Sequence, residues 1–404
     1  MPGYPSRRSF GPRNSGGGSG RSGQSFRPSA GRRGPAKQYI DPARFVQAAK
    51  PVTEEVYEAT NNFADFALDD IIKRNITNKG YTTPSKIQDI SIPFGLLGRD
   101  VVGIADTGSG KTVAFGIPII QKLIAEKSSQ ALIIAPTREL AHQIETELKW
   151  LSQGTGMRSV LLIGGTPMHP QIRGLRDRPK IVIGTPGRIK DHVMQGNLKL
   201  QYFNAVVLDE VDRMVDMGFI NDITFLLNEL APKRQSLFFS ATMDSKLDNL
   251  VNSFLTDPEL VSVKSGETSN NVEQSVVRHA DSADKMQKLH DILRDENLSK
   301  ALIFDETKRS VERLMRELEK SGFKVDALHG GKSQNQRLRA LNRFRRNEVN
   351  ILVATDVAAR GIDVSDITHV INFTTPQTYD DYVHRIGRAG RAGRAGTALT
   401  FIGR

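Results

Sequence analysis

The sequence predicts an α/β protein of two tandem domains, each a parallel sheet flanked by helices, behind a basic N-terminal tail. Three observations carry this. From Phe63 onward, short apolar runs alternate with longer amphipathic segments, the pattern of strands buried on both faces by helices. The alternation occurs twice, on either side of a polar stretch at residues 263–276 that reads as an interdomain linker. The chain, at 404 residues, exceeds one ordinary domain.

Taken in order, residues 1–38 are rich in Gly, Ser and Arg and contain no Asp or Glu. Arg7, Arg8, Arg13, Arg21, Arg27, Arg32, Arg33 and Lys37 give this tail +8 of the net +11, leaving +3 for the rest. It cannot bury enough apolar area to fold alone. It reads either as a solvated tail or as an arm that binds nucleic acid, with Tyr4, Phe10 and Phe26 set among the arginines. Residues 39–62 read as a partly ordered lead-in. The first domain, 63–262, has apolar strand candidates at 131–135, 159–163, 181–184, 205–209 and 236–240, with amphipathic helices such as 139–152 and 221–230. The second, 277–404, has strand candidates at 301–305, 324–329, 351–355, 369–373 and 397–402. No repeat period is evident.

A pI of about 9.7 favours a polyanionic partner, nucleic acid first and an acidic membrane surface second. The chain has no cysteine, which excludes disulfides, Cys-ligated zinc and thiol nucleophiles. It has no apolar run near the length that spans a bilayer and no apolar leader, so neither a membrane anchor nor secretion is expected, and a reducing cytoplasm fits.

After the apolar run DVVGIA come Ala105, Asp106, Thr107, Gly108, Ser109, Gly110, Lys111 and Thr112, then a helical stretch. Strand, glycine loop and helix in this order make a phosphate cradle of the Walker A kind. The glycines let backbone N–H groups converge on phosphate oxygens, and the helix N-terminus adds its dipole. Lys111 would neutralise β/γ-phosphate charge and the Thr112 hydroxyl would ligate Mg²⁺; the other reading is a plain Gly/Ser turn preceding a helix. The general pattern begins with Gly where this chain has Ala105.

The strand at 205–209 ends in Asp209-Glu210-Val211-Asp212. Acids at such a place often cap a helix. Downstream of a phosphate loop, Asp209 reads as the metal ligand and Glu210 as the group that orients the attacking water. Ser240-Ala241-Thr242 ends the next strand, either as a helix cap or as a relay between the phosphates and a nucleic-acid face.

With these residues in place, residues 63–404 resemble the DEAD-box ATP-dependent RNA helicases of superfamily 2, whose fold is two RecA-like domains. The motifs follow the family's order and spacing. Phe63 and the segment 80–88 resemble its adenine-recognition motif, which implies that Tyr81 stacks on adenine and Gln88 pairs with its polar edge. Pro136-Thr137-Arg138, Gly164-Gly165 and Thr185-Pro186-Gly187-Arg188 are similar to the RNA-backbone motifs of the first domain. In the second domain, the resemblance implies RNA contacts from Arg309, Gly331, Gln334, Arg337 and Thr355, and ribose contacts from Gly361 and Asp363. The run His384-Arg385-Ile386-Gly387-Arg388-Ala389-Gly390-Arg391 implies arginine fingers at Arg388 and Arg391, and a coupling role for His384 beside Ser240 and Thr242. Its other reading is a basic RNA-binding run. Val211, Asp106, Asp305, Gly331 and Thr374 depart from the commonest pattern: Asp305 stands where a small residue is usual, and Thr374 where an acid is often found.

The implied activity is RNA-dependent hydrolysis of ATP with Mg²⁺, remodelling RNA by local strand separation. The implied enzyme is a monomer with low sequence specificity, working with ribonucleoprotein, ribosome-assembly or RNA-decay proteins and with no membrane. The rival readings are an ATP-gated RNA clamp and a superfamily 2 DNA helicase. Gln88 and Arg360-Gly361-Ile362-Asp363 favour RNA over DNA.

Overall fold

The computed structural model describes residues 40–48, 57–106, 108–263, 271–359, 364, 366–390 and 395–403. The tail, Thr107, Gly361, Asp363 and Arg391 therefore lie outside the described residues.

The first domain holds strands β1 Val101–Ala105, β2 Ala131–Ile134, β3 Ser159–Leu162, β4 Ile181–Gly184, β5 Ala205–Leu208, β6 Gln235–Ser240 and β7 Glu259–Val263. They form one parallel sheet in the order β3-β4-β2-β5-β6-β1-β7. Its helices are α1 Asp70–Asn78, α2 Lys86–Leu96, α3 Lys111–Ala125, α4 Arg138–Leu151, α5 Met168–Arg176, α6 Pro186–Met194, α7 Val211–Asp216, α8 Ile220–Glu229 and α9 Ser245–Phe254. Successive strand residues feed opposite cores, because side chains alternate across a sheet. Val101 and Ile133 pack with α1–α4, while Val102, Leu132 and Ile134 pack with α6–α9. Burial on both faces explains why the central strands read as unbroken apolar runs.

The second domain holds β8 Val272–His279, β9 Ala301–Phe304, β10 Val325–Leu328, β11 Ile351–Ala354, β12 His369–Asn372 and β13 Gly396–Gly403. They form a parallel sheet in the order β10-β11-β9-β12-β13-β8. Helices α10 Ser282–Leu293 and α11 Lys308–Lys320 cover one face. Helices α12 Gln334–Arg345, α13 Asp356–Ala359 and α14 Tyr379–Ile386 cover the other.

Two strands were not legible as apolar runs. β8 starts at Val272, inside the stretch 263–276 that reads as linker, and β7 extends through Val263. The connection between them is thus shorter than the sequence implies. Both are edge strands, with a neighbouring strand of the sheet on one long side alone, so polar residues replace the apolar run. Leu260 of β7 is accordingly exposed.

The lead-in at 39–62 divides between the domains. Ile40 and Phe45 join the core of the second. Phe63 and Phe66, just after the lead-in, join the core of the first.

Candidate functional site

In a parallel sheet every strand delivers its following loop to the same edge, where open α/β sheets bind ligands. The phosphate loop leaves β1, the acid pair leaves β5, and Ser240-Ala241-Thr242 ends β6, which lies between β1 and β5. Loops at Pro136, Gly164 and Thr185 leave β2, β3 and β4 on the other wing of the same edge. The strand order therefore divides the edge into two neighbouring halves that match the two sets of motifs.

Gly110 caps α3 at φ +96°, a left-handed conformation that glycine adopts without strain. A Cβ at this position would lie 2.3 Å from Gln88 Nε2, so space as well as φ requires glycine. Lys111 is buried, and its Nζ donates to the Ala105 carbonyl at 2.8 Å. The Ser109 hydroxyl is buried without a hydrogen-bond partner among the described residues, which suits a phosphate oxygen. The Asp106 carbonyl accepts from Ser109 N–H at 3.3 Å. Gln88 Nε2 donates to Gly110 O at 3.0 Å, and its Oε1 accepts from Ser85 N–H at 2.9 Å. One amide N–H and one lone pair of Gln88 remain for a base edge. Tyr81 stacks beside Phe63, with centroids 6.4 Å apart and planes 23° apart, and meets Trp150 edge-on at 5.8 Å. Phe63 is buried and supports the half-exposed Tyr81 ring, which is the one placed to meet a ligand. A cavity of about 520 Å³ joins Tyr81, Gln88, Lys111, Thr112, Asp209 and Glu210, and reaches Leu338 and Leu341 of α12. That volume lies in the range of small-molecule sites.

Asp209 is almost fully buried and its Oδ1 accepts from Glu210 N–H at 3.0 Å. Burial pushes its carboxyl up to about 7; Lys111 pulls it down and Glu210 pushes it further up. A buried carboxylate of this kind fits a dication. With the Thr112 hydroxyl on the same cavity, it would supply the sparse protein ligation usual for Mg²⁺. Glu210 sits at φ +52°, a left-handed conformation costing about 1–3 kcal/mol for such a residue. Its Oε2 accepts from Arg213 Nη1 at 3.1 Å, and both side chains are buried. Arg213 lay outside the motif readings; only its place one turn after Glu210 hinted at it.

Asp212 is the second residue those readings missed. Its Oδ2 accepts from Ala241 N–H, Thr242 N–H and the Thr242 hydroxyl at 3.0, 3.0 and 3.2 Å. Its own N–H donates to the Ser240 hydroxyl at 3.2 Å. The N–H and carboxylate of Asp212 thus lock the Ser240-Ala241-Thr242 segment to the acid segment. Val211 between them is fully buried in the α6–α9 core. Val211→Ala is expected to cost about 2 kcal/mol, from two buried methyl groups and the cavity they leave, with turnover little changed. Urea unfolding and an ATPase assay check the two halves of that expectation.

On the other wing, Thr137 caps α4 through its hydroxyl, which accepts from Leu140 N–H at 3.3 Å. The Arg138 guanidinium packs onto Gly164 and Gly165; a Cβ on Gly165, at φ +74°, would lie 2.0 Å from Arg138 Nη1. Burial, then Arg337 and Arg188, hold Arg138 below its ordinary pKa, while Glu139 opposes them. Arg188 Nη1 donates to Thr166 O at 3.1 Å. Thr185 starts α6 with no side-chain cap bond, and the ideal Cβ of Gly187 meets nothing within 4 Å, so this turn is open to a backbone phosphate.

Gln334 and Arg337 are placed differently from the RNA contacts their motif implied. Gln334 Nε2 and Arg337 Nη2 both reach Glu139, at 3.0 and 2.9 Å, and Glu139 is buried. These side chains join the two domains. The sequence assigns Glu139 no role, because nothing local marks a carboxylate whose partner Gln334 lies 195 residues away. Arg309 is exposed at the start of α11. Gly331 N–H donates to His329 Nδ1 at 3.1 Å, which directs His329 Nε2–H to Glu312 at 2.7 Å. Thr355 O accepts from the N–H groups of Ala358 and Ala359 and so starts α13.

Arg385 and Arg388 share α14 and its C-terminal turn but do different things. Arg385 grips Asp356 with two bonds of 2.6 and 2.7 Å, and Nη1 adds Asn372 Oδ1 and Thr374 O at 3.1 and 2.8 Å. Arg388 is buried, lies with the half-buried His384 beside Asp356 and Phe304, and does not line the 520 Å³ cavity. His384 faces the first domain. Burial and then Arg213 hold its imidazole below the ordinary value; Asp212 and Asp216 oppose them, and Arg388 reinforces them. His384 thus lies within electrostatic range of α7.

Two departures meet: the Thr374 hydroxyl donates to Asp305 Oδ1. Lys285 lies 4.0 Å over the Phe373 ring; burial pulls its pKa down and Asp305 pulls it back. Thr374→Asp alone is expected to set two carboxylates together and destabilise the second domain. Asp305→Ser combined with Thr374→Asp should recover it, with a coupling of about 1–2 kcal/mol in a urea-unfolding cycle.

Comparison with known proteins gives a consistent picture. The DEAD/DEAH box helicase family profile matches residues 85–250, and the helicase conserved C-terminal domain profile matches residues 284–393. An ATP-dependent RNA helicase CshA of Listeria monocytogenes is 44% identical over 344 residues, 84% of this chain and 66% of that protein. A DEAD-box ATP-dependent RNA helicase CshA of Bacillus licheniformis is 44% identical over 347 residues, 85% of this chain and 71% of that protein. The chain thus spans about two thirds of these relatives' length. Among solved structures, Mss116p bound to ssRNA and AMP-PNP superposes with a TM-score of 0.76 at 31% identity, covering 86% of this chain and 76% of that one. Dbp5 of S. cerevisiae bound to RNA and ADP BeF3 gives 0.73 at 27% identity, covering 85% and 89%.

Proposed function

Since the chain belongs to the DEAD-box family of superfamily 2 helicases, we propose that it is an RNA-dependent ATPase that separates and remodels RNA locally. One observation carries the reading: Asp212 ties the acid segment at the phosphate site to Ser240 and Thr242, on the sheet edge that also bears the Arg138 and Thr185 loops. A change at the γ-phosphate thus has a short, hydrogen-bonded route toward the nucleic-acid wing.

Tyr81 and Gln88 hold the base, and the 105–112 loop holds the phosphates. Asp209 and Thr112 would ligate Mg²⁺, which supplies charge neutralisation at the phosphates. Glu210 orients the attacking water once it leaves Arg213, and its left-handed backbone aims it from the strand end. Arg138, Arg188, Thr185 and Gly187 take the RNA backbone without reading bases, so sequence specificity is low. The Glu139 contact with Gln334 and Arg337 favours the state in which both domains meet, and ligands that bind that state better draw it shut. The enzyme is proposed to act as a monomer in the cytoplasm, with partners from ribonucleoprotein assembly or RNA decay, and with the 1–38 tail adding RNA affinity. The lack of cysteine fits a reducing compartment, and the charge of the tail supports added RNA affinity.

The test measures ATP hydrolysis with and without single-stranded RNA, and strand separation of a short duplex. Stimulation by RNA but not by DNA of the same sequence is expected. Equal stimulation by both, or none by either, overturns the proposal.

A further inference from the structure

Residues 40–48 precede the first domain in sequence yet pack on the second. Ile40 and Phe45 are buried in its core with Val272, Tyr382 and Ile386. The Phe45 ring meets Tyr382 edge-on at 4.7 Å, and the Arg44 guanidinium lies 3.7 Å over the Tyr379 ring. Gln47 and Gln274 exchange backbone hydrogen bonds of 3.0 and 2.8 Å, an antiparallel bridge on the open side of the edge strand β8. The Gln274 side chain completes the joint, donating to Gln47 Oε1 at 3.2 Å and accepting from the Tyr382 hydroxyl at 2.8 Å. Tyr379 and Tyr382 lie on α14, the helix that ends at the Arg385 and Arg388 turn.

The chain then returns to the first domain. The Tyr57 hydroxyl, Thr60 N–H and Asn61 Nδ2 all donate to Asp89, at 2.6, 2.7 and 2.7 Å. Asp89 is on α2, next to Gln88. Burial works to raise its pKa, and these hydrogen bonds more than offset it, so the carboxylate stays below its ordinary value. Both ends of the crossing are therefore fixed by several specific contacts.

We infer that the segment from Ile40 to Asn61 is a second tether between the domains, tying arginine-bearing α14 to the adenine-side helix α2 and limiting how far the halves of the ATP site separate. From residue 48 to residue 57 there are nine Cα steps, so these points stay within about 32 Å however the domains move. The linker from residue 263 to residue 271 has eight steps, a reach of about 29 Å. A single tether lets one domain swivel freely about the other. Two tethers attached at different places restrict rotation as well as distance. The narrower open ensemble raises the effective concentration of one half-site for the other. Less RNA is then needed to trap the closed state. Arg44 and Phe45 are thus positioning residues for turnover, acting through α14 and touching no substrate. The catalytic consequence rests on the ATPase reading above; the geometric one does not.

The experiment lengthens the tether in the full chain. Twenty Gly/Ser residues inserted between Ala48 and Tyr57 leave every docked contact intact. The expected result is a rise of about three- to tenfold in the RNA concentration for half-maximal ATPase, with kcat at saturating RNA unchanged. Because the chain has no cysteine, Lys127→Cys and Lys320→Cys place a fluorophore pair on exposed sites of the two domains. The ligand-free distance distribution should broaden in the insertion variant. Phe45→Ala should shift both readouts the same way, and Phe45→Leu should largely restore them. An unchanged distance distribution together with unchanged half-saturation overturns the inference, and the insertion decides it even if Phe45→Ala unfolds the second domain. A wild-type protein that RNA does not stimulate would count against the proposed function alone, since the ligand-free distances need no RNA.

Discussion

Lys111→Ala is expected to lower RNA-saturated ATP turnover by about 10²- to 10³-fold, the loss usual when one preorganised group facing developing charge is removed. Lys111 is the first α3 residue, buried, with its ammonium on the Ala105 carbonyl at the mouth of the phosphate loop. It is also the cation that works against the burial of Asp209. Its removal therefore strips charge from the phosphates and leaves the metal-side carboxyl more readily protonated. Folding should survive, since one hydrogen bond contributes about 1 kcal/mol net. Steady-state ATPase with a urea-unfolding control makes the check. Turnover near the wild-type value in a folded Lys111→Ala protein would place the phosphates elsewhere.

Arg385→Ala is expected to destabilise the second domain by about 2–4 kcal/mol, because it takes a buried guanidinium from the partly exposed Asp356 carboxylate and leaves the buried Asn372 acceptor unpaired. Asp356 loses both bonds of its bidentate contact, and the Asn372 and Thr374 acceptors lose theirs. Arg385→Lys should recover little. An ammonium is a compact point charge and cannot serve four acceptors laid out for a planar fork. The measurement is a denaturant titration followed by a probe in the second domain. A shift under about 1 kcal/mol for Arg385→Ala would mean that the pair is screened like a surface bridge. The effect on turnover follows from stability, since α14 also carries His384 and leads to Arg388.

These two residues show what the linear pattern can and cannot sort. Lys111 is legible because strand, glycine loop and helix are contiguous, and the chemistry is local to eight residues. Arg385 and Arg388 sit three apart in one basic run, and sequence reasoning singled out Arg388 with Arg391. That Arg385 is committed to Asp356, Asn372 and Thr374 follows from α14 lying across the ends of β11 and β12. Asp212 was within the quoted acid run, yet its bonds to Ser240-Ala241-Thr242 exist only because β5 and β6 are neighbours. Glu139 shows the same limit at larger range, since its partners belong to the other domain. Asp305 and Thr374 look like two separate anomalies until β9 and β12 pair and bring them into one hydrogen bond.

Adjacent residues are enough to specify the α/β class, the two parallel-sheet domains, the central strands and the glycine-rich loop after β1. These features are written locally: apolar runs where both faces of a strand are buried, and glycines where the backbone must turn. The edge strands β7 and β8, the hydrogen-bond partners of the buried carboxylates, and the attachment of residues 40–48 to the second domain follow from tertiary packing. Periodicity states which side of an element is buried, but not which element covers it. Strand order makes that choice, so the partners of Asp212, Glu139, Asp305 and Phe45 are set by neighbours far away in the chain.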